Sequence, residues 1–266
     1  MYLSKRTKKR ILVTGAQGFL GREIVIALGQ YDNVEVFPSG RREEKGIIKC
    51  DLTNIKQIKL LLEVCKPDCI IHCAAYVPKS TKDYESTKES KISFEIFDKL
   101  LQASKSPIIY ISSMTVYGNI ANHSVKEEEA KNPRSEYAKG KLKAERHLTL
   151  DNRPSIIIRI PGLFGIQRKS GVVYNLLNAL KNNCEFELPN NPVVWSAMDV
   201  GDAANGISKI ALSKINKRIK MNFGYRGPCS LSKLMNLACN IFNYNYVYEV
   251  KHPEFEFDLT FATKLK

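Results

Sequence analysis

Short apolar runs alternate, over the first 165 residues, with stretches whose apolar positions recur every three or four residues. Arg10 to Thr14, Val34 to Pro38, Gly46 to Lys49, Cys69 to His72, Pro107 to Ile111 and Ser155 to Arg159 read as strands; Phe19 to Tyr31, Asn54 to Cys65, Thr87 to Ser104 and Ser135 to Asp151 read as helices. Strands alternating with helices predict βαβ units and a parallel sheet, because parallel neighbours need a crossover. Ile108-Ile109-Tyr110-Ile111 and Ile156-Ile157-Ile158 are apolar without alternation, as strands covered on both faces are. The predicted fold class is α/β, a doubly wound parallel Rossmann-type sheet. After Gly165 the rhythm is lost, with helices near Val172 to Asn182, Val200 to Ser213 and Leu231 to Phe242 and a Pro- and Asn-rich stretch at Pro189 to Pro192. This predicts a small C-terminal substrate-binding lobe. The expected division is a basic tail over 1–10, a nucleotide-binding domain over 11–165, and a lobe over 166–266 with elements returning to the main domain. Open sheets bind ligands at the carboxyl ends of their strands, so the crevice between the two parts is the expected site.

Composition narrows the class of protein. A chain of 266 residues fits one large core, and 44% hydrophobic with 26% charged residues excludes a disordered or fibrous chain. No stretch approaches the roughly 18 apolar residues of a membrane span, and Ile11 to Val13, behind the basic first ten residues, is too short for a signal-peptide core. Seven cysteines without paired spacing predict free thiols in a reducing compartment, and hence a cytoplasmic protein. The formal charge is +14, from 41 basic and 27 acidic residues. Such an excess favours anionic partners, either nucleic acid or phosphorylated small molecules.

Candidate chemistry starts at the first predicted strand end. Thr14-Gly15-Ala16-Gln17-Gly18-Phe19-Leu20-Gly21 is a G-x-x-G-x-x-G turn opening a helix. Gly15 permits the tight turn, Gly18 lets backbone amides approach a pyrophosphate, and Gly21 lets helix and strand pack closely. Where an NAD-binding chain places an acid for the ribose diol, this one has Ser39, followed by Gly40, Arg41 and Arg42. A hydroxyl and two guanidiniums suit a 2′-phosphate, so NADP(H) is favoured, with NAD(H) possible. Farther on, Tyr137 and Lys141 stand four apart at the start of a predicted helix and share one face. A nearby ammonium and a nicotinamide cation are expected to lower the phenol by two to three pKa units, on the order of 3 to 4 kcal/mol.

Taken in order, Thr14-Gly15-x-x-Gly18-x-x-Gly21, Asp51-Leu52-Thr53, His72-Cys73-Ala74-Ala75, Ser112-Ser113-x-Thr115-Val116-Tyr117-Gly118 and Tyr137-x-x-x-Lys141 resemble the extended short-chain dehydrogenase/reductase family, in particular its sugar-nucleotide epimerase/dehydratase/reductase branch. The resemblance runs nearly the whole chain and includes Asp199 to Ala204 and Asn222-Phe223-Gly224. It implies that Gly15, Gln17, Gly18, Phe19, Leu20 and Gly21 line the cofactor diphosphate, that Asp51 and Leu52 flank the adenine, and that Ala74 and Ala75 lie along the cofactor. Lys141 would hold the nicotinamide ribose and Tyr137 would move the proton. Ser113 would bond the reacting oxygen, with Thr115 a second hydroxyl in the same site. Tyr76, Ser113, Gly162 and Trp195 would face the substrate, and the two long helices, Thr87 to Ser104 and Ser135 to Asp151, would pair in a homodimer.

Departures from the pattern limit the chemistry. Met114 and Thr115 stand where dehydratases of the branch carry an Asp-Glu pair, which excludes 4,6-dehydration. Gly162 and Ser93 replace two asparagines frequent in the family, and Trp195 replaces a frequent arginine. Asp258 to Lys266 resembles the start of the family's last helix and points to an abbreviated lobe. Cys65, Cys69 and Cys73 read as buried thiols, so no metal site is expected, and His72 reads as a packing residue. The expected activity is NADP(H)-dependent 4-keto reduction of a nucleotide sugar, in polysaccharide biosynthesis; the alternatives are a nucleotide-sugar 4-epimerase and an NADP-binding regulatory or RNA-associated protein. Neither a membrane nor nucleic acid is an expected partner.

Overall fold

In the computed structural model, which describes residues 8–79, 82–119, 124–186, 194–245 and 252–260, the chain runs β1 (Lys9–Thr14), α1 (Phe19–Leu28), β2 (Val34–Gly40), β3 (Ile48–Lys49), α2 (Ile55–Cys65), β4 (Cys69–His72), α3 (Thr87–Ala103) and β5 (Ile108–Ser113). It continues through β6 (Ser124–Val125), α4 (Glu136–Leu150), β7 (Ser155–Ile160), β8 (Gly162–Phe164), α5 (Val172–Lys181), β9 (Ala197–Asp199), α6 (Val200–Leu212), β10 (Arg218–Asn222), α7 (Leu231–Phe242) and β11 (Glu256–Phe257). Seven of these strands make one parallel sheet in the order β10-β7-β5-β4-β1-β2-β3.

Successive side chains on each strand go to opposite faces, and both faces are apolar. Ile11, Val13, Ile71, Ile109 and Ile158 pack against α1 and α6; Leu12, Ile70, Ile108, Tyr110 and Ile157 pack against α2, α3 and α4 through Ile58, Leu61, Phe97, Leu100 and Leu148. The unalternating runs in the sequence are thus explained by helices on both sides. Asn54, Ser86 and Ser135 cap α2, α3 and α4 by accepting first-turn N–H bonds, which is where polar residues precede the apolar periodicity.

One boundary differs from the sequence reading. Lys9 and Arg10 belong to β1 and not to a tail: Lys9 N–H donates to Asn33 O at 2.8 Å and Arg10 N–H to Asp68 Oδ2 at 2.8 Å. The Arg10 guanidinium lies 4.6 Å over Phe37 and 3.1 Å from Glu35, so its stem and charge are both satisfied in the fold. Residues 1–7 of the basic tail, and the Pro189 to Pro192 stretch, lie outside the described residues. Beyond Gly165, α5 and α7 pack on each other around Leu176, Leu180, Leu231 and Met235, while β10 joins the main sheet beside β7 and α6 packs on α1. The pairs β8/β9 and β6/β11, two or three residues long, were not foreseen.

Beneath the carboxyl ends of the strands lies a buried polar frame. Arg159, 1% exposed, donates from Nε and Nη2 to the two oxygens of Glu145 at 3.0 and 2.6 Å, and from Nη1 to Tyr117 Oη and Glu127 O. Ser112 Oγ donates to the same Glu145 carboxylate, and Tyr117 Oη donates to Asn222 Oδ1. Strands β5, β7 and β10 are thereby tied to α4.

Candidate active site

The sheet changes direction at β1: β2 and β3 follow on one side, β4, β5, β7 and β10 on the other. The crevice at such a switch point, outside the strand ends, is the ligand position of doubly wound sheets. Gly15 occupies it at φ +71°, and a Cβ there would come within 2.6 Å of Ala74 N. A Cβ on Gly21 would meet Gly15 O at 2.3 Å, so α1 packs directly on the turn. No side chain caps α1 and its first turn carries no acid, in contrast to the capped α2, α3 and α4. The first-turn amides of Phe19, Leu20 and Gly21 therefore keep their donors and partial positive charge for an anion, and the cradle fits a dinucleotide diphosphate. Ala74 and Ala75 follow β4 on the crevice side of this turn, half-buried.

At the end of β2, Ser39 is 2% exposed and its carbonyl accepts Ala16 N–H, while Arg41 and Arg42 are exposed. The Gln17 side chain is engaged with the loop: it accepts Arg42 N–H and donates to Arg42 O and Glu44 Oε2. The local sequence shows no acid at the ribose position, yet the fold brings Glu44 back to Arg42, where Arg22 pairs with it at 3.2 Å and its carboxyl is held below the ordinary value mainly by Gln17. Asp51 Oδ1 accepts from Thr53 N–H and Oγ1, which lowers its pKa with help from the charge of Arg41; Leu52 beside it is part of the core.

Ser113, Thr115, Tyr137 and Lys141 are brought together at the ends of β5 and the start of α4. Thr115 Oγ1 donates to Ser113 Oγ at 3.0 Å, and Ser113 lies close enough to the Tyr137 phenol to lower it. Lys141 is 8% exposed, donates to Ile111 O at 2.8 Å, and lies 5.8 Å from the Tyr137 ring centroid and 5.0 Å from that of Tyr110. Burial holds the Tyr137 phenol well above its usual value, Tyr84 adds to the rise, and Ser113 and Arg168 oppose it. Burial likewise lowers Lys141 to about 8. The Tyr137 phenol is thus protonated at neutral pH. Behind it His72, 2% exposed, bonds Thr14 Oγ1 at 2.9 Å and is lowered to about 3 by burial and by Lys141, so it is neutral packing.

Tyr76 stands half-buried after Ala75, with its N–H donating to Ser93 Oγ at 3.0 Å. Gly162 opens β8 and adjoins Trp195, whose Nε1 would lie 3.8 Å from a Cβ at that position; Trp195 packs on the α5–α7 core. Sequence reading missed Tyr84, edge-on to Tyr137 with centroids 5.6 Å apart, and Arg168, 5.6 Å over the Phe19 ring. Neither carries a local spacing signal; the single hint was a basic Arg168-Lys169 pair between Gly165 and Gly171. The thiols of Cys65, Cys69 and Cys73 are raised to about 11, 12 and 12 by burial, and among the described residues no three His, Cys, Asp or Glu side chains cluster to hold a metal. Nor is any helix among them long and apolar enough to cross a membrane.

Residues 9–251 match the family model described as RmlD substrate binding domain. The chain belongs to that family. The RmlD assignment places it in the extended short-chain dehydrogenase/reductase group, in agreement with the glycine turn and the Tyr137–Lys141 pair. Zebrafish methionine adenosyltransferase 2 subunit beta is 28% identical over 158 residues, 59% of this chain and 49% of that protein. The dTDP-4-dehydrorhamnose reductase of Aggregatibacter actinomycetemcomitans is 28% identical over 176 residues, 65% of this chain and 58% of the relative. The chain thus spans about half the length of the curated relatives it matches. In fold it is similar to the UDP-glucose 4-epimerase of Thermus thermophilus, solved with NAD, at TM-score 0.79 and 18% identity over 96% of this chain and 92% of the epimerase.

Proposed function

We infer that this chain is an NADP(H)-dependent oxidoreductase that reduces a 4-keto nucleotide sugar. One observation carries the reading: the Tyr137 phenol, close to Ser113 and one helical turn from Lys141, stands at the switch-point crevice beside an uncapped phosphate turn. A nicotinamide cofactor, when held here, would supply hydride chemistry. The chain's own residues do the rest: the Gly15–Gly21 turn and the α1 amides hold the diphosphate, Arg41 and Arg42 take the 2′-phosphate, and Lys141 bonds the ribose and places positive charge behind the phenol. Ser113 fixes the substrate oxygen and Tyr137 donates the proton that completes its hydroxyl. The expected homodimer through α3 and α4 belongs to the same proposal.

The similarity to methionine adenosyltransferase beta subunits favours a second reading, a dinucleotide-binding subunit of another enzyme. NADPH consumption with a panel of 4-keto nucleotide sugars separates the two. The oxidoreductase consumes NADPH with at least one of them, and Tyr137→Phe lowers turnover by roughly 10²- to 10⁴-fold while leaving NADPH affinity unchanged. Tight NADPH binding without turnover on any sugar would establish the subunit reading.

A further inference from the structure

We propose that Arg168 is a diphosphate anchor at the mouth of the site. It lies in the loop between β8 and α5, half-buried, and two of its donors are fixed: Nε to Ser170 O at 3.1 Å and Nη1 to Leu163 O at 3.0 Å. Nη2 makes no hydrogen bond to the described residues, and no carboxylate among them pairs with it. Arg22 and Arg159, by contrast, are each paired with a glutamate.

The position of this open guanidinium is informative. Its plane is held 5.6 Å over Phe19, the residue that opens α1 directly after Gly18. The Phe19 ring in turn reaches within 3.3 Å of where a Cβ would stand on Gly165, so the loop that carries Arg168 is seated on the phosphate turn. From the other side its charge acts on both Tyr84 and Tyr137. Arg168 therefore stands beside the phosphate turn and within electrostatic reach of Tyr137, with Nε and Nη1 engaged and Nη2 open. A guanidinium nitrogen whose N–H groups are open can donate to phosphate oxygens, and a diphosphate is the anion that a dinucleotide and a nucleotide sugar have in common. Trp195, which stands where the family resemblance placed an arginine, cannot supply that charge, and Arg168 supplies it from a different loop. For the sugar nucleotide as the ligand, the inference rests on the function proposed above; for the dinucleotide it does not.

The test uses the full chain with Arg168→Gln and Arg168→Lys. NADPH affinity is measured by fluorescence titration, UDP and dTDP affinity by calorimetry on the NADPH-loaded protein, and the unfolding midpoint by scanning calorimetry. An anchor predicts that Arg168→Gln weakens at least one of these diphosphate ligands about 10- to 100-fold at an unchanged midpoint, with Arg168→Lys recovering part of the loss. Loss on NADPH alone assigns the contact to the cofactor, and loss on UDP or dTDP alone assigns it to the substrate. Changes under twofold on every ligand would overturn the proposal, as would a general weakening accompanied by a lower midpoint, which marks a loop that has come apart. If the wild-type chain reduces no 4-keto sugar, the proposed reaction fails while the NADPH measurement still decides the role of Arg168.

Discussion

Lys141 is a charge stored where water does not reach, and that makes its titration visible in stability. Its pKa is lowered from 10.5 to about 8, chiefly by burial, with Cys73 and Glu145 opposing. A lysine depressed in the folded state binds fewer protons there than in the unfolded chain, so stability increases as pH rises between the folded and unfolded values. The window is pH 8 to 10.5. At roughly 1.36 kcal/mol per unit, the full effect is about 3 kcal/mol, of which about 2 to 3 kcal/mol is gained between pH 7 and pH 10. Lys141→Met removes the titration while keeping the stem volume. Urea denaturation of cofactor-stripped wild type and variant at pH 7 and pH 10 isolates this contribution, because other titrating groups are common to both proteins. The wild type should gain about 2 to 3 kcal/mol more than the variant over that interval. Parallel pH dependence in the two proteins would refute the claim that a buried ammonium stands behind Tyr137.

Replacing both Arg41 and Arg42 with alanine should weaken NADPH at least tenfold more than NADH in paired titrations, since each charge-assisted contact to a 2′-phosphate is worth about 1.5 to 3 kcal/mol; equal losses would mean that the loop does not read the phosphate. Arg159→Met leaves Glu145, 1% exposed, without its counter-charge and should cost about 3 to 5 kcal/mol in denaturation, and adding Glu145→Leu should restore part of that loss. A double variant no more stable than the single one would show that pairing is not the source of the effect.

The sequence exposed what depends on neighbours along the chain. The glycine turn and the Tyr137–Lys141 spacing are each set within one or two turns, and each was readable. What it hid arises from distant approach. Gln17 and Arg22 reach Glu44 across the turn, and Tyr84 meets Tyr137 through a loop whose local pattern says nothing of its destination. Spacing sets which face two side chains share, but not how much water surrounds them, and it is burial that raises the Tyr137 phenol. The short strands β6, β8, β9 and β11 carry too few residues to show alternation.

The frame around Arg159 has one more implication. Its opposite charges are 1% and 2% accessible at the side chain, beyond the reach of dissolved ions, whereas Arg41 and Arg42 lie open to them. If Arg41 and Arg42 grip a 2′-phosphate as proposed, added electrolyte should weaken that grip while the shielded Arg159–Glu145 pair keeps its hold on the scaffold.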